Sequence, residues 1–272
     1  MRLDYFLEAL YCEPWAITQS RFEGVKKVVH SYLDTKAEID LAKLGAELPP
    51  AFELVGKVAV VPVVGLILPK ASGLEAACGA FSCQTFRNTL AELSALPEVE
   101  TILLNVDSGG GMVRGGLETT EALKLTKKSK KVIAYSDGII ASQAYYIACQ
   151  ASRVYLSASA EAGSIGVFCS YLDQSQAFLN EGLKVDIFKG GNSKFKAMGT
   201  MGTSLTDEQK AYLQESVDTK FAEFVALVKA NRRNATEDAT SGKMFRAEEA
   251  INNGLADGII NNLDDLVTYL NK

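Results

Sequence analysis

Thr101-Ile102-Leu103-Leu104-Asn105-Val106-Asp107-Ser108-Gly109-Gly110-Gly111 joins an apolar run to a glycine turn, and a helical pattern from Leu117 to Leu125 follows. The short apolar run ending in a glycine-rich turn reads as a strand. Working outward, a β-branched run (Val58 to Val64) and a helical pattern (Phe86, Leu90, Leu93, Leu96) lie on the N-terminal side. On the C-terminal side come a strand (Val132 to Tyr135), a helix from about Ile140, and short strands at Val154-Tyr155 and Val185 to Phe188. Strands alternating with helices need crossover connections, so the expected class is α/β with a largely parallel sheet.

Two further patterns complete the layout. Thr206-Asp207-Glu208-Gln209 forms a capping box that opens a helix carrying Leu213, Val217, Phe221, Phe224, Val225 and Val228 at helical spacing, a stripe suited to core or subunit interface. Residues 1–55 mix short amphipathic patterns (Phe22, Val25, Val28, Val29, Tyr32) with a polar stretch ending at Pro49-Pro50, and read as a helical appendage to a main domain over residues 56–272.

Composition narrows the function. With 272 residues, 47% hydrophobic, the chain can bury a substantial core. A formal charge of -5 gives no nucleic-acid footprint. The one basic cluster, Lys124, Lys127, Lys128, Lys130 and Lys131, reads as a solvated helix end. Five cysteines (Cys12, Cys78, Cys83, Cys149, Cys169) without a C-x-x-C spacing read as reduced thiols, and neither metal nor cofactor is expected. The start lacks a secretory apolar run, and Val58 to Pro69 is too short to span a bilayer, so a cytoplasmic protein without a membrane span is expected.

Histidine is nearly absent: His30 is the only one, away from every glycine turn. A Ser-His-Asp mechanism is therefore disfavoured, and an activated serine would need another base, for which lysine is the recognised substitute when its surroundings lower its pKa. Two turns suit acyl transfer. Asp107 to Gly111 can turn N–H groups toward a ligand oxygen as an oxyanion hole requires; the lysine and hydroxyl of a phosphate-binding loop are missing, and a plain structural turn is the rival reading. Ser136 to Tyr146 carries the chain from strand to helix with Ser142 near the first turn, either as nucleophile or as a simple N-cap. Candidate lysines follow in Val185 to Lys196, and spacing alone selects none.

Five elements in fixed order resemble the signal peptide peptidase A family of Ser/Lys peptidases, and within it the head-maturation proteases of tailed phages. They are Val106 to Gly111; Ala141-Ser142-Gln143-Ala144-Tyr145-Tyr146-Ile147-Ala148; Ala162-Gly163-Ser164-Ile165-Gly166-Val167; Asp173-Gln174-Ser175; and the Lys196 segment before Leu205-Thr206-Asp207-Glu208. Glu13-Pro14-Trp15-Ala16-Ile17 adds a fainter echo. The resemblance implies a Clp-protease/crotonase-like spiral of ββα units, with Ser142 as nucleophile and Lys196, rather than Lys194, as base. It also implies an oxyanion hole from Gly111, Gly110 and Gln143, and a site lined by Ser164 and Gly163. Departures from the pattern are Gly109 in place of a usual proline, Gln143-Ala144 in place of Gly-Gly, and Phe195 before the lysine.

The expected activity is that of a serine endopeptidase acting on capsid or scaffold proteins, working as a homo-oligomer, with any scaffold segment supplied as a separate protein. A signal-peptide-peptidase-like cytoplasmic protease and a non-catalytic assembly protein are the alternatives. A crotonase-like acyl-CoA enzyme would need paired carboxylates, and only Glu118 stands near the glycine turn.

Overall fold

The computed structural model describes residues 14–19, 21–24, 26–27, 50–71, 74–77 and 79–272. His30, Cys12, Cys78, Val25, Val28, Val29 and Tyr32 lie outside them. The described chain forms β1 (Trp15–Ile17), β2 (Glu53–Val55), β3 (Val58–Val64), β4 (Ile67–Leu68), α1 (Leu74–Ala77), β5 (Phe81–Ser82) and α2 (Cys83–Ala95). Next come β6 (Thr101–Asp107), β7 (Gly110–Met112), α3 (Gly116–Thr126), β8 (Lys131–Ser136), β9 (Ile139–Ala141) and α4 (Gln143–Ala148). The remainder is β10 (Arg153–Leu156), β11 (Glu161–Gly163), α5 (Ser175–Asn180), α6 (Asp207–Asn231), β12 (Met244–Arg246), α7 (Ala247–Asn252), β13 (Gly258–Ile259) and α8 (Leu263–Leu270).

The repeat is a long strand, a short strand, then a helix: β6-β7-α3 and β8-β9-α4 have this order, and β10-β11 opens another turn. The long strands share one sheet in the order β13-β10-β8-β6-β3-β2, parallel throughout except for β2. The short strands peel away into two smaller sheets, β1-β7-β4-β5 and β12-β11-β9. A bridge between Ser108 and Ile140 ties the turn after β6 to β9. This is the α/β spiral of ββα units expected from the sequence.

The uninterrupted apolar run of β6 follows from burial on both faces. Ile102, Leu104 and Val106 share one core cluster with Leu90 and Leu93 of α2, whereas Leu103 packs with Val58, Ile133 and, from α8, Leu266 and Val267. The capping box is present on α6: Gln209 N–H donates to Thr206 Oγ1 at 3.2 Å and Thr206 N–H to Gln209 Oε1 at 3.1 Å.

Four details differ from the sequence reading. Val185 to Phe188 form no strand; no sheet edge reaches them, and Phe188 is 97% exposed. Of the expected apolar stripe on α6 only Phe224 and Val228 are buried, while Phe221 is exposed. The basic cluster is not merely solvated: Lys130 Nζ caps the Leu96 and Val99 carbonyls at 2.5 and 2.7 Å, and Lys127 Nζ the Gln150 carbonyl at 2.5 Å. Finally, Trp15–Ile17, expected within a helical appendage, is a strand fully buried against β7, because its apolar side chains join Phe22, Leu68 and Met112 in a cluster of their own. Among the described residues no helix is long and apolar enough to cross a membrane.

Candidate active site

The site forms where the turn after β6 meets the ends of β9 and β11. β6 runs into Asp107-Ser108, and this turn is tightly held. Ser108 Oγ–H donates to the Gly65 carbonyl at 2.6 Å, and the Gly110 N–H donates to Ser108 Oγ at 3.1 Å. Asp107 Oδ1 accepts from the Ile139 N–H at 3.3 Å, which joins the turn to the next unit. Glycine is required at Gly110 (φ 97°), where a β-carbon would lie 2.2 Å from the Ala16 carbonyl oxygen, 2.9 Å from the Gln143 nitrogen and 3.0 Å from the Ser142 β-carbon. Those three groups therefore converge on one point beside the turn.

Ser142 links β9 to α4 in a conformation that residues with a side chain rarely adopt, φ 55° and ψ -118°. It is 1% exposed and makes no side-chain cap bond. The N-cap alternative therefore fails in its defining contact. Among the described residues its hydroxyl reaches only the Gly166 carbonyl, at 3.5 Å, and its N–H is fixed on the Gly163 carbonyl at 2.9 Å. Strain of this kind, about 1–3 kcal/mol, persists when the surroundings over-determine it, and it concentrates at reacting centres. The Gln143 N–H that follows finds no acceptor among the described residues.

The Gly163-Ser164 turn supports the serine from below. A β-carbon on Gly163 (φ 141°) would sit 2.3 Å from the Lys243 carbonyl oxygen, and the Ser164 N–H donates to that same carbonyl at 2.6 Å. Close approach of β11 to residue 243 thus explains the glycine. Gln143 fits because Gly116 opposite has no side chain: a β-carbon there would lie 2.6 Å from Gln143 Nε2, which is buried without a partner among the described residues. Pro14, Ala16, Glu118, Gln143, Tyr146 and Leu227 are among the residues lining a cleft of about 790 Å³.

Of the expected residues, Ser142, Gly110, Gly111, Gln143 and Gly163 come together. The Gly110 N–H is already spent on Ser108 Oγ and the Gly111 N–H lies in the ladder to Ala16, so of the three only the Gln143 N–H has no acceptor among the described residues. Lys196 does not join them: it is exposed, and it makes no hydrogen bond to Ser142. Lys194 ion-pairs with Glu208. Neither buried cysteine rivals the serine as nucleophile, since desolvation raises the Cys83 thiol and pushes that of Cys149 up to about 12, away from the reactive thiolate. Ala16 is the residue that sequence reasoning missed. The Trp15-Ala16-Ile17 stretch is apolar and follows Pro14, a signal that fits a short strand as well as a helical segment.

Known proteins give this geometry a context. The capsid assembly protease C of Escherichia phage lambda is 26% identical over 216 residues, covering 79% of this chain and 49% of its own. The head-tail preconnector protein GP5 of Enterobacteria phage P21 is 26% identical over 232 residues, covering 84% and 46%. A putative protease of Methanocaldococcus jannaschii is 30% identical over 175 residues, covering 63% and 56%. The chain thus spans about half the length of these curated relatives. The model of peptidase family S49 matches residues 124–272, more than half of the sequence, and the chain belongs to that family.

Proposed function

We propose that the protein is a serine endopeptidase in which Ser142 attacks the peptide carbonyl and Lys196 acts as base. The observation that carries the reading is the Ser142 elbow: a buried, strained serine followed by an uncommitted N–H and facing the glycine turn. In the reaction the Ser142 hydroxyl proton passes to the Lys196 amine as Oγ bonds to the carbonyl carbon. The resulting oxyanion accepts from the Gly111 and Gln143 N–H groups, and the lysine returns the proton to the leaving amine. Water then hydrolyses the acyl-enzyme by the same route.

Lys196 is favoured over Lys194 because the latter is engaged by Glu208. The lysine has to approach Ser142 for catalysis, either through movement of the 190–204 loop or by contribution from another copy in a homo-oligomer. Capsid or scaffold proteins are the proposed substrates, on the strength of the relatives named for capsid assembly and head-tail connection. The test is intact-protein mass spectrometry of wild type, Ser142→Ala and Lys196→Ala, each incubated with co-expressed capsid and scaffold proteins. Defined fragments from wild type alone are expected; fragments from all three would overturn the assignment.

A further inference from the structure

The strand β1 runs along the glycine turn that faces Ser142. It is paired along both edges. On one side Thr18 N–H donates to the Gly109 carbonyl at 2.9 Å and Val113 N–H to the Pro14 carbonyl at 3.5 Å. On the other, Trp15 and Phe168 exchange N–H···O bonds at 2.8 and 2.9 Å. The alternation of an antiparallel ladder then makes Ala16 and Gly111 a hydrogen-bonded pair, so the Ala16 carbonyl accepts from Gly111. That carbonyl oxygen, Gln143 N and the Ser142 β-carbon all lie within 3.0 Å of the point that a β-carbon on Gly110 would occupy. Pro14 and Ala16, on one face of β1, line the cleft with Gln143 and Tyr146.

We infer that β1 is a resident substrate mimic: it holds the Ala16 carbonyl at the oxyanion donors, keeps the site closed, and must be displaced by an extended peptide with a small residue at the position of Ala16. The inference rests on the proposed role of Ser142. Recognition of this sort is β-strand addition, in which the backbone ladder supplies binding and the alternate side chains supply selectivity. The resident strand has an anchor that an incoming peptide lacks. Trp15 packs edge-on against Phe22, with centroids 5.5 Å apart, and Phe22 packs edge-on against Phe168 at 5.0 Å. It also escapes cleavage in this arrangement, because among the described residues no lysine is hydrogen-bonded to the Ser142 hydroxyl to take its proton.

The test uses the full chain carrying Arg21→Cys and Gly109→Cys. A β-carbon at Gly109 lies 3.3 Å from the Arg21 β-carbon, close to the roughly 3.5–4.5 Å of disulfides, so oxidation locks the β1 segment in place. Labelling by a fluorophosphonate probe, read as adduct mass, is compared in the oxidised and reduced states, with Arg21→Cys alone as the control for native thiols. Labelling at Ser142 about tenfold slower when oxidised is expected, since only the open fraction reacts. Should the pair not fold, Ala16→Asp, which places a charge at a buried strand position, is expected to expel β1 and to label faster than wild type. Equal labelling of Ser142 in locked, reduced and Ala16→Asp proteins overturns the mimic and leaves the nucleophile standing. No adduct in any folded form overturns the nucleophile, and the mimic with it.

Discussion

Replacing Ser142 with glycine separates the strain of the site from its chemistry. The φ of 55° and ψ of -118° belong to a region open to glycine and costly for any residue with a β-carbon, up to about 3 kcal/mol. Glycine relieves that cost, but it gives back about 0.5–1 kcal/mol in chain entropy and about 0.8 kcal/mol for the buried methylene. The net is a stabilisation of about 1 kcal/mol, or about 2 °C in Tm for a chain of this size. Ser142→Ala keeps the β-carbon and with it the strain, so it is the proper comparator. Both variants are expected to lack peptidase activity, and Ser142→Gly to melt about 2 °C above Ser142→Ala in thermal unfolding followed by circular dichroism. A glycine variant that melts at or below the alanine variant would refute the claim that the fold forces this serine into its conformation.

Other consequences follow from single contacts. Ser108→Ala strands the Gly65 carbonyl and the Gly110 N–H, and should cost about 2–3 kcal/mol in urea unfolding while slowing the reaction of Ser142 with an acylating probe. Gly163→Ala drives a methyl into the Lys243 carbonyl, so either the Ser142 support shifts or the protein loses about 2 kcal/mol or more, which differential scanning calorimetry would show. Asp257 is partly buried, which opposes its charge, yet Arg232 at 2.7 Å, the Val154 N–H and Arg153 hold its carboxyl below the usual range. A depressed folded pKa means the stabilisation is complete above the unfolded value of about 3.9 and is lost as pH falls through the folded one. Wild type should therefore lose stability on acidification below about pH 4 more steeply than Asp257→Asn, whose baseline stability at neutral pH is lower; parallel curves would contradict the pairing.

Periodicity and turn chemistry were enough to read the frame. The β3, β6 and β8 strands are buried on both faces, so their apolar runs announce themselves, and the glycines after β6 mark a turn whose close approaches demand them. Thr206 and Gln209 likewise reveal a helix start through the reciprocal bonds they make. Other features depended on partners distant in sequence. Val185 to Phe188 have strand composition but no edge to join, and composition cannot report a missing neighbour. Trp15–Ile17 became a strand only because Met112 and Phe168 lie on either side of it, almost a hundred residues and more away in the chain. Ser142, the proposed nucleophile, stood out in the sequence only as a serine in a strand-to-helix turn; its backbone strain and the uncommitted Gln143 N–H are properties of the folded corner alone.

The claim that Ser142 and Lys196 form the reacting pair is tested most directly by the rate at which a fluorophosphonate probe acylates Ser142 in wild type, Lys196→Ala and Lys194→Ala, with the modified residue located by peptide mass mapping. The account predicts an adduct on Ser142 in wild type and in Lys194→Ala, and labelling at least about a hundredfold slower in Lys196→Ala, the contribution expected of a positioned base. Equal rates in wild type and Lys196→Ala, or an adduct on a serine other than Ser142, would contradict it.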